Sequence, residues 1–69
     1  VELKRLSASQ VLLITNHGDE ILYSQEEPIA GFKLGLGFFK NRNWSEKIEY
    51  LKGIDDVTLL TSHQIIALF

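Results

Sequence analysis

Four groups of residues in this 69-residue chain carry side chains able to do chemistry, and each makes a different demand on geometry. His17, Asp19 and Glu20 supply one imidazole and two carboxylates, the donor types of a metal site or an acid–base pair. A metal needs a convergent set of ligands, and neighbours on one turn do not converge. Asn, Gly and Asp also dominate turns for conformational reasons, so Asn16-His17-Gly18-Asp19 reads as a hairpin turn. Ser62 and His63, with Asp55 or Asp56, name the parts of a nucleophile, base and orienting acid. Neighbours in sequence rarely meet the hydrogen-bonded geometry those roles require. A chain this short also has little volume for an enclosed pocket. We therefore expect no catalytic residue, no metal and no cofactor.

The third group is the glycine-rich stretch from Gly31 to Gly37. It lacks the lysine and hydroxyl of a phosphate-binding loop, and aromatic residues follow it where such a loop has a helix. Structural glycines, which let a helix or a second subunit lie close on a sheet, are the plainer reading. The fourth group is Lys33, Phe39, Lys40 and Arg42. Rings interleaved with bases are what single-stranded nucleic acid needs, because bases stack on rings while cations neutralise phosphate. Three positive charges leave a small electrostatic footprint. Binding of single-stranded RNA or DNA through these four residues is thus the alternative reading, and the adjacent Trp44 is better explained as a core residue.

The elements that would position these groups follow from periodicity. Ala30, Phe32, Leu34, Leu36 and Phe38 alternate with Gly31, Lys33, Gly35, Gly37 and Phe39, which predicts an extended segment, one long bent strand or two pieces broken near Gly35 and Gly37. Its first set faces a core, and Phe39 lies with Lys33 on the barer side. Val11 to Ile14 and Ile21 to Tyr23 are β-favouring runs flanking the Asn16–Asp19 turn, a second hairpin signal. Pro28 ends a polar turn that leads into the alternating segment. Beyond it, Asn43 and Glu46 have near capping-box spacing, and Trp44, Ile48 and Leu51 recur at helical intervals. Gly53 can close such a helix in the left-handed region. Val57 to Leu60 reads as a short strand. Thr61 and Gln64 have the spacing of a capping box, so residues 62–69 form a short helix or else continue as strand.

Together these elements predict one domain, residues 1–69, of the α+β class. It has an antiparallel sheet of three to four strands, one helix packed across it and a short carboxyl-terminal helix.

Composition sets the remaining bounds. The net charge is −2 and there is no cysteine, so neither an overall basic nucleic-acid binder nor a disulfide scaffold is indicated. Apolar residues make up 45% of the chain, well above the disordered range. No run approaches the roughly 18 apolar residues of a bilayer span, and no leader pattern is visible, which points away from membrane and toward a cytoplasmic location. The chain opens on Val1 and has no methionine, as expected of a processed start or a piece of something longer.

Small domains without cross-links lean on partner subunits. The apolar tail of Ile65, Ile66, Leu68 and Phe69 supplies a surface for one. The leading expectation is a non-enzymatic protein-interaction or regulatory module, a homodimer or higher oligomer that docks a protein partner through this tail or a sheet edge.

Overall fold

The computed structural model describes residues 1–69. It contains six strands: β1 Glu2–Arg5, β2 Gln10–Ile14, β3 Glu20–Ser24, β4 Glu27–Lys33, β5 Gly37–Asn41 and β6 Thr58–Leu60. One α-helix follows, α1 Ser62–Leu68, and a single 3₁₀ turn lies at Glu49–Leu51. The strands form one sheet in sequence order, antiparallel throughout except for the parallel pair β5–β6.

This overturns the expected α+β fold of three to four antiparallel strands under a packed helix. The molecule is mostly sheet, six-stranded and mixed, and its only α-helix is the short carboxyl-terminal one.

The helix expected from Asn43 onward is the element that fails. Asn41 turns the chain instead: its Oδ1 accepts the Asn43 N–H at 2.9 Å, and its carbonyl accepts the Trp44 N–H at 3.1 Å. Asn and Ser favour such local bonds over helix, and so short a segment must overcome a costly nucleation step. Packing decides against helix as well. Trp44, Ile48, Tyr50 and Leu51 all lie against the core formed by Leu12, Leu22, Ile29 and Ala30. Helical geometry advances about 100° per residue, which would turn Tyr50 away from Ile48. The irregular backbone brings both to the sheet, where Tyr50 packs edge-on to Phe38 at 6.2 Å between centroids.

Strand registers define two sides. Residues directly opposite one another share a side, so Leu3, Leu13, Ile21, Gly31 and Phe39 make one continuous row across five strands. Lys4, Leu12, Leu22, Ala30 and Lys40 make the neighbouring row on the other side. The segment from Arg42 to Val57 crosses this second side, which we call the crossover side, and delivers β6 parallel to β5. Helix α1 returns over the first, the helix side. A bulge between Leu22 and Tyr23 pairs Leu22 with Ala30 but Tyr23 with Pro28. The extra residue, Ile29, joins Ala30 in the crossover-side core, so two consecutive side chains are buried together.

Gly31 is the glycine the sheet cannot replace. A Cβ there would overlap the Glu20 carbonyl oxygen and the Phe39 ring, which lies across the bare backbone. The alternating segment is thus two strands, β4 and β5, joined by a turn that exposes Leu34. At the carboxyl end the capping box forms in full: Thr61 Oγ1 accepts the Gln64 N–H at 3.2 Å, and Gln64 Oε1 accepts the Thr61 N–H at 2.9 Å. That settles residues 62–68 as helix.

Candidate functional site

Of the residues proposed for stacking and phosphate contact, Phe39 is fully buried on the helix side. Its ring lies 6.1 Å from that of Phe69, and α1 covers it. Lys33 shares that side but is engaged: its Nζ donates to Asp19 Oδ2 at 2.9 Å and sits 4.6 Å from the Phe69 ring centroid. Lys40 belongs to the crossover side, opposite Ala30, and Arg42 is exposed beyond the end of β5. The four residues therefore do not converge on one platform.

The acids near the β2–β3 turn are likewise divided. Asp19 is buried and holds β4's end: Oδ1 accepts the Leu34 N–H at 3.0 Å while Oδ2 takes the Lys33 ammonium. The backbone bond from Leu34, followed by the bond from Lys33, pulls its carboxyl below the ordinary Asp value. Glu20, one residue on, points to the crossover side and accepts the Tyr50 hydroxyl at 3.0 Å. Burial and that carboxylate push the Tyr50 phenol well above its usual range, so it remains a neutral donor. No group of three or more His, Cys, Asp or Glu side chains is brought together. Ser62 is a structural partner: its hydroxyl accepts Asn41 Nδ2 at 2.8 Å, and Asn41 Nδ2 also donates to the Pro28 carbonyl at 3.1 Å. Asn41, almost wholly buried, ties α1 to β4 and β5. Its sequence neighbours, Lys40 and Arg42, gave no hint of an interior amide.

The carboxyl-terminal apolar residues split by role. Ile65 is buried against the sheet and Leu68 is partly covered, while Ile66 is 64% and Phe69 44% exposed. The helix side is closed over Phe39 on β5 and as far as Ile21 on β3, and opens beyond. Between α1 and the β2–β3 half lies an open groove of about 430 Å³, with Leu13, Tyr23, Pro28, Ile66 and Phe69 among its walls. The row that crosses the sheet shows the gradient: Phe39 0%, Ile21 2%, and Leu3 68% exposed at the outer edge. Val1 and Leu3, both strongly exposed, extend the apolar surface onto β1, whose four residues are all exposed. A second groove, also about 430 Å³, opens on the crossover side between Leu51, Ile54 and Leu59, with Lys40, Lys47 and Lys52 around it.

Edge strand β1 is the feature that sequence reasoning did not define. Its residues pair with β2 from Glu2 opposite Ile14 to Arg5 opposite Val11. The Leu6 N–H donates to the Gln10 carbonyl at 2.9 Å in the same register. Antiparallel ladders alternate, so the backbone groups of Glu2 and Lys4 point toward β2 like those of Leu6. Those of Leu3 and Arg5 point away from the sheet.

No helix is long and apolar enough to cross a membrane. No protein-family model matches the chain, and no curated protein and no solved structure matches it either.

Proposed function

We propose that this chain is a non-enzymatic protein-interaction module that works as a homo-oligomer, its contact surface formed by strand β1 and the adjoining half of the helix side. The observation that carries this reading is the position of four of the seven exposed large apolar side chains. Ile66 of α1 and Phe69 just after it wall a groove that reaches Leu13, and Leu3, the β1 residue paired with Leu13, carries exposed apolar surface on to the sheet edge, with Val1 before it. Contiguous apolar surface of this kind marks interaction sites in small soluble domains.

The occupant is a second copy of the chain. Two features support that choice. A 69-residue domain without cross-links buries a modest fraction of its surface alone, and β1 is an uncapped edge with open backbone donors and acceptors. Lysine and glutamate on that edge limit indiscriminate pairing while permitting a partner whose charges match.

Sedimentation velocity at micromolar concentration tests the reading. A species heavier than the 7.9 kDa chain is expected, and a sole 7.9 kDa species would overturn it. Titration with single-stranded DNA and RNA at two salt concentrations belongs beside it. Phosphate-driven binding weakens steeply with salt. The reading predicts no binding at low salt, and salt-sensitive binding abolished by Lys40→Ala/Arg42→Ala would favour the nucleic-acid alternative instead.

A further inference from the structure

We infer that two copies join edge to edge through β1, antiparallel about a two-fold axis at Leu3, so that Glu2 of each copy faces Lys4 of the other. This deepens the homo-oligomer reading by naming its interface.

The free edge of β1 presents the backbone N–H and C=O of Leu3 and Arg5, with the Val1 carbonyl on the same edge by alternation. Only registers that bring these outward groups against one another can form a ladder. Centred on Leu3, the Leu3 N–H groups and carbonyls exchange bonds across the axis, and each Arg5 N–H meets the partner's Val1 carbonyl. Glu2 and Lys4 then occupy the non-hydrogen-bonded positions, where directly opposite side chains come closest. Each acid faces a base twice over, once on either side of the axis.

The neighbouring allowed registers lack this match. Centring on Glu2 sets the two Glu2 side chains opposite each other, and centring on Lys4 does the same with the two lysines. Like charges directly opposite are destabilising. The charge pattern of this four-residue strand therefore selects one register among those its backbone permits.

The sides agree as well. A two-fold axis normal to the sheet keeps the helix side of both copies on one surface. The row from Phe39 through Ile21 and Leu13 to Leu3 then runs on into the second copy. Leu3, 68% exposed in the single chain, gains the second Leu3 as its neighbour. Six strands per copy make a continuous twelve-stranded sheet.

Charge exchange tests this on the full chain. β1 is exposed throughout, so Glu2→Lys and Lys4→Glu leave the core untouched, and circular dichroism checks that each variant folds. Each single variant sets like charges opposite at both pairs and should weaken self-association by roughly tenfold or more. The double variant Glu2→Lys/Lys4→Glu restores opposite charges and should recover the wild-type dimer. Mixing the two single variants should give a heterodimer, since the partner then presents two acids to two bases. If the wild type dimerises while the single variants dimerise equally well, or the mixed pair fails to associate, β1 pairing is wrong although the homo-oligomer reading survives. A wild type that stays at 7.9 kDa removes both.

Discussion

Asp19 is where single-residue chemistry acts on the fold. It joins the β2–β3 turn to the end of β4 and holds Lys33 over the Phe69 ring, so one carboxylate restrains the last residue of the chain. Its depressed pKa gives the sign of the pH dependence. The folded form prefers the carboxylate, so this contribution is fully present above the ordinary value of 3.8 and is lost as pH falls through the lower folded value. Acid denaturation of wild type against Asp19→Asn should show the wild-type advantage at neutral pH vanishing in that acid range. Equal unfolding curves at neutral and acid pH would contradict the assignment. The sequence showed Asp19 only as a turn residue, because its partners Lys33 and Leu34 lie fourteen and fifteen positions away. Gly31 was legible as a site of close approach, but the approaching group is Phe39 of the next strand. The same contact put Phe39 inside: once its ring crosses Gly31, α1 can close over it.

At the level of elements, several local signals read well, though the near capping box at Asn43 and Glu46 did not. The β2–β3 hairpin, strand β6 and the Thr61–Gln64 cap all depend on residues within a few positions, and all are present. The segment after Asn43 failed because its helical stripe competed with a sheet surface that accommodates Tyr50 too. Periodicity sees neither that surface nor the Asn41 side chain that turns the chain away from helix.

The β3–β4 turn was visible only as polar residues before Pro28. In the structure Gln25 and Glu26 both have positive φ, 51° and 67°, between paired Ser24 and Glu27. A two-residue hairpin of this kind favours Asn-Gly. The double substitution Gln25→Asn/Glu26→Gly should therefore stabilise the protein by about 0.5–2 kcal/mol, the usual range for relieving a poorly suited local conformation. Urea denaturation with an unchanged slope checks it, and a lower midpoint would count against the turn as described.

For the molecule as a whole, the two sides of the sheet are finished unequally. The crossover side carries cover in Trp44, Ile48, Tyr50 and Leu51 and keeps a groove beside Leu59. The helix side is covered from β5 as far as Ile21 on β3 and left open toward β1, where Leu3 is exposed in the same row. The apolar tail foreseen from sequence is accordingly divided, Ile65 serving the core and Ile66 with Phe69 rimming the groove. Strand β1 was not foreseen, because Glu2 to Arg5 has little β propensity of its own and takes its conformation from pairing with β2.

Amide hydrogen exchange at Leu3, followed over a dilution series, is the most direct measurement of the assembly. In a lone chain that N–H faces solvent, whereas in the β1-paired dimer it bonds to the second copy. Exchange at Leu3 should be slow at high protein concentration and quicken on dilution, while Lys4, bonded within the chain, changes far less. Fast exchange at Leu3 at every concentration would contradict the paired edge.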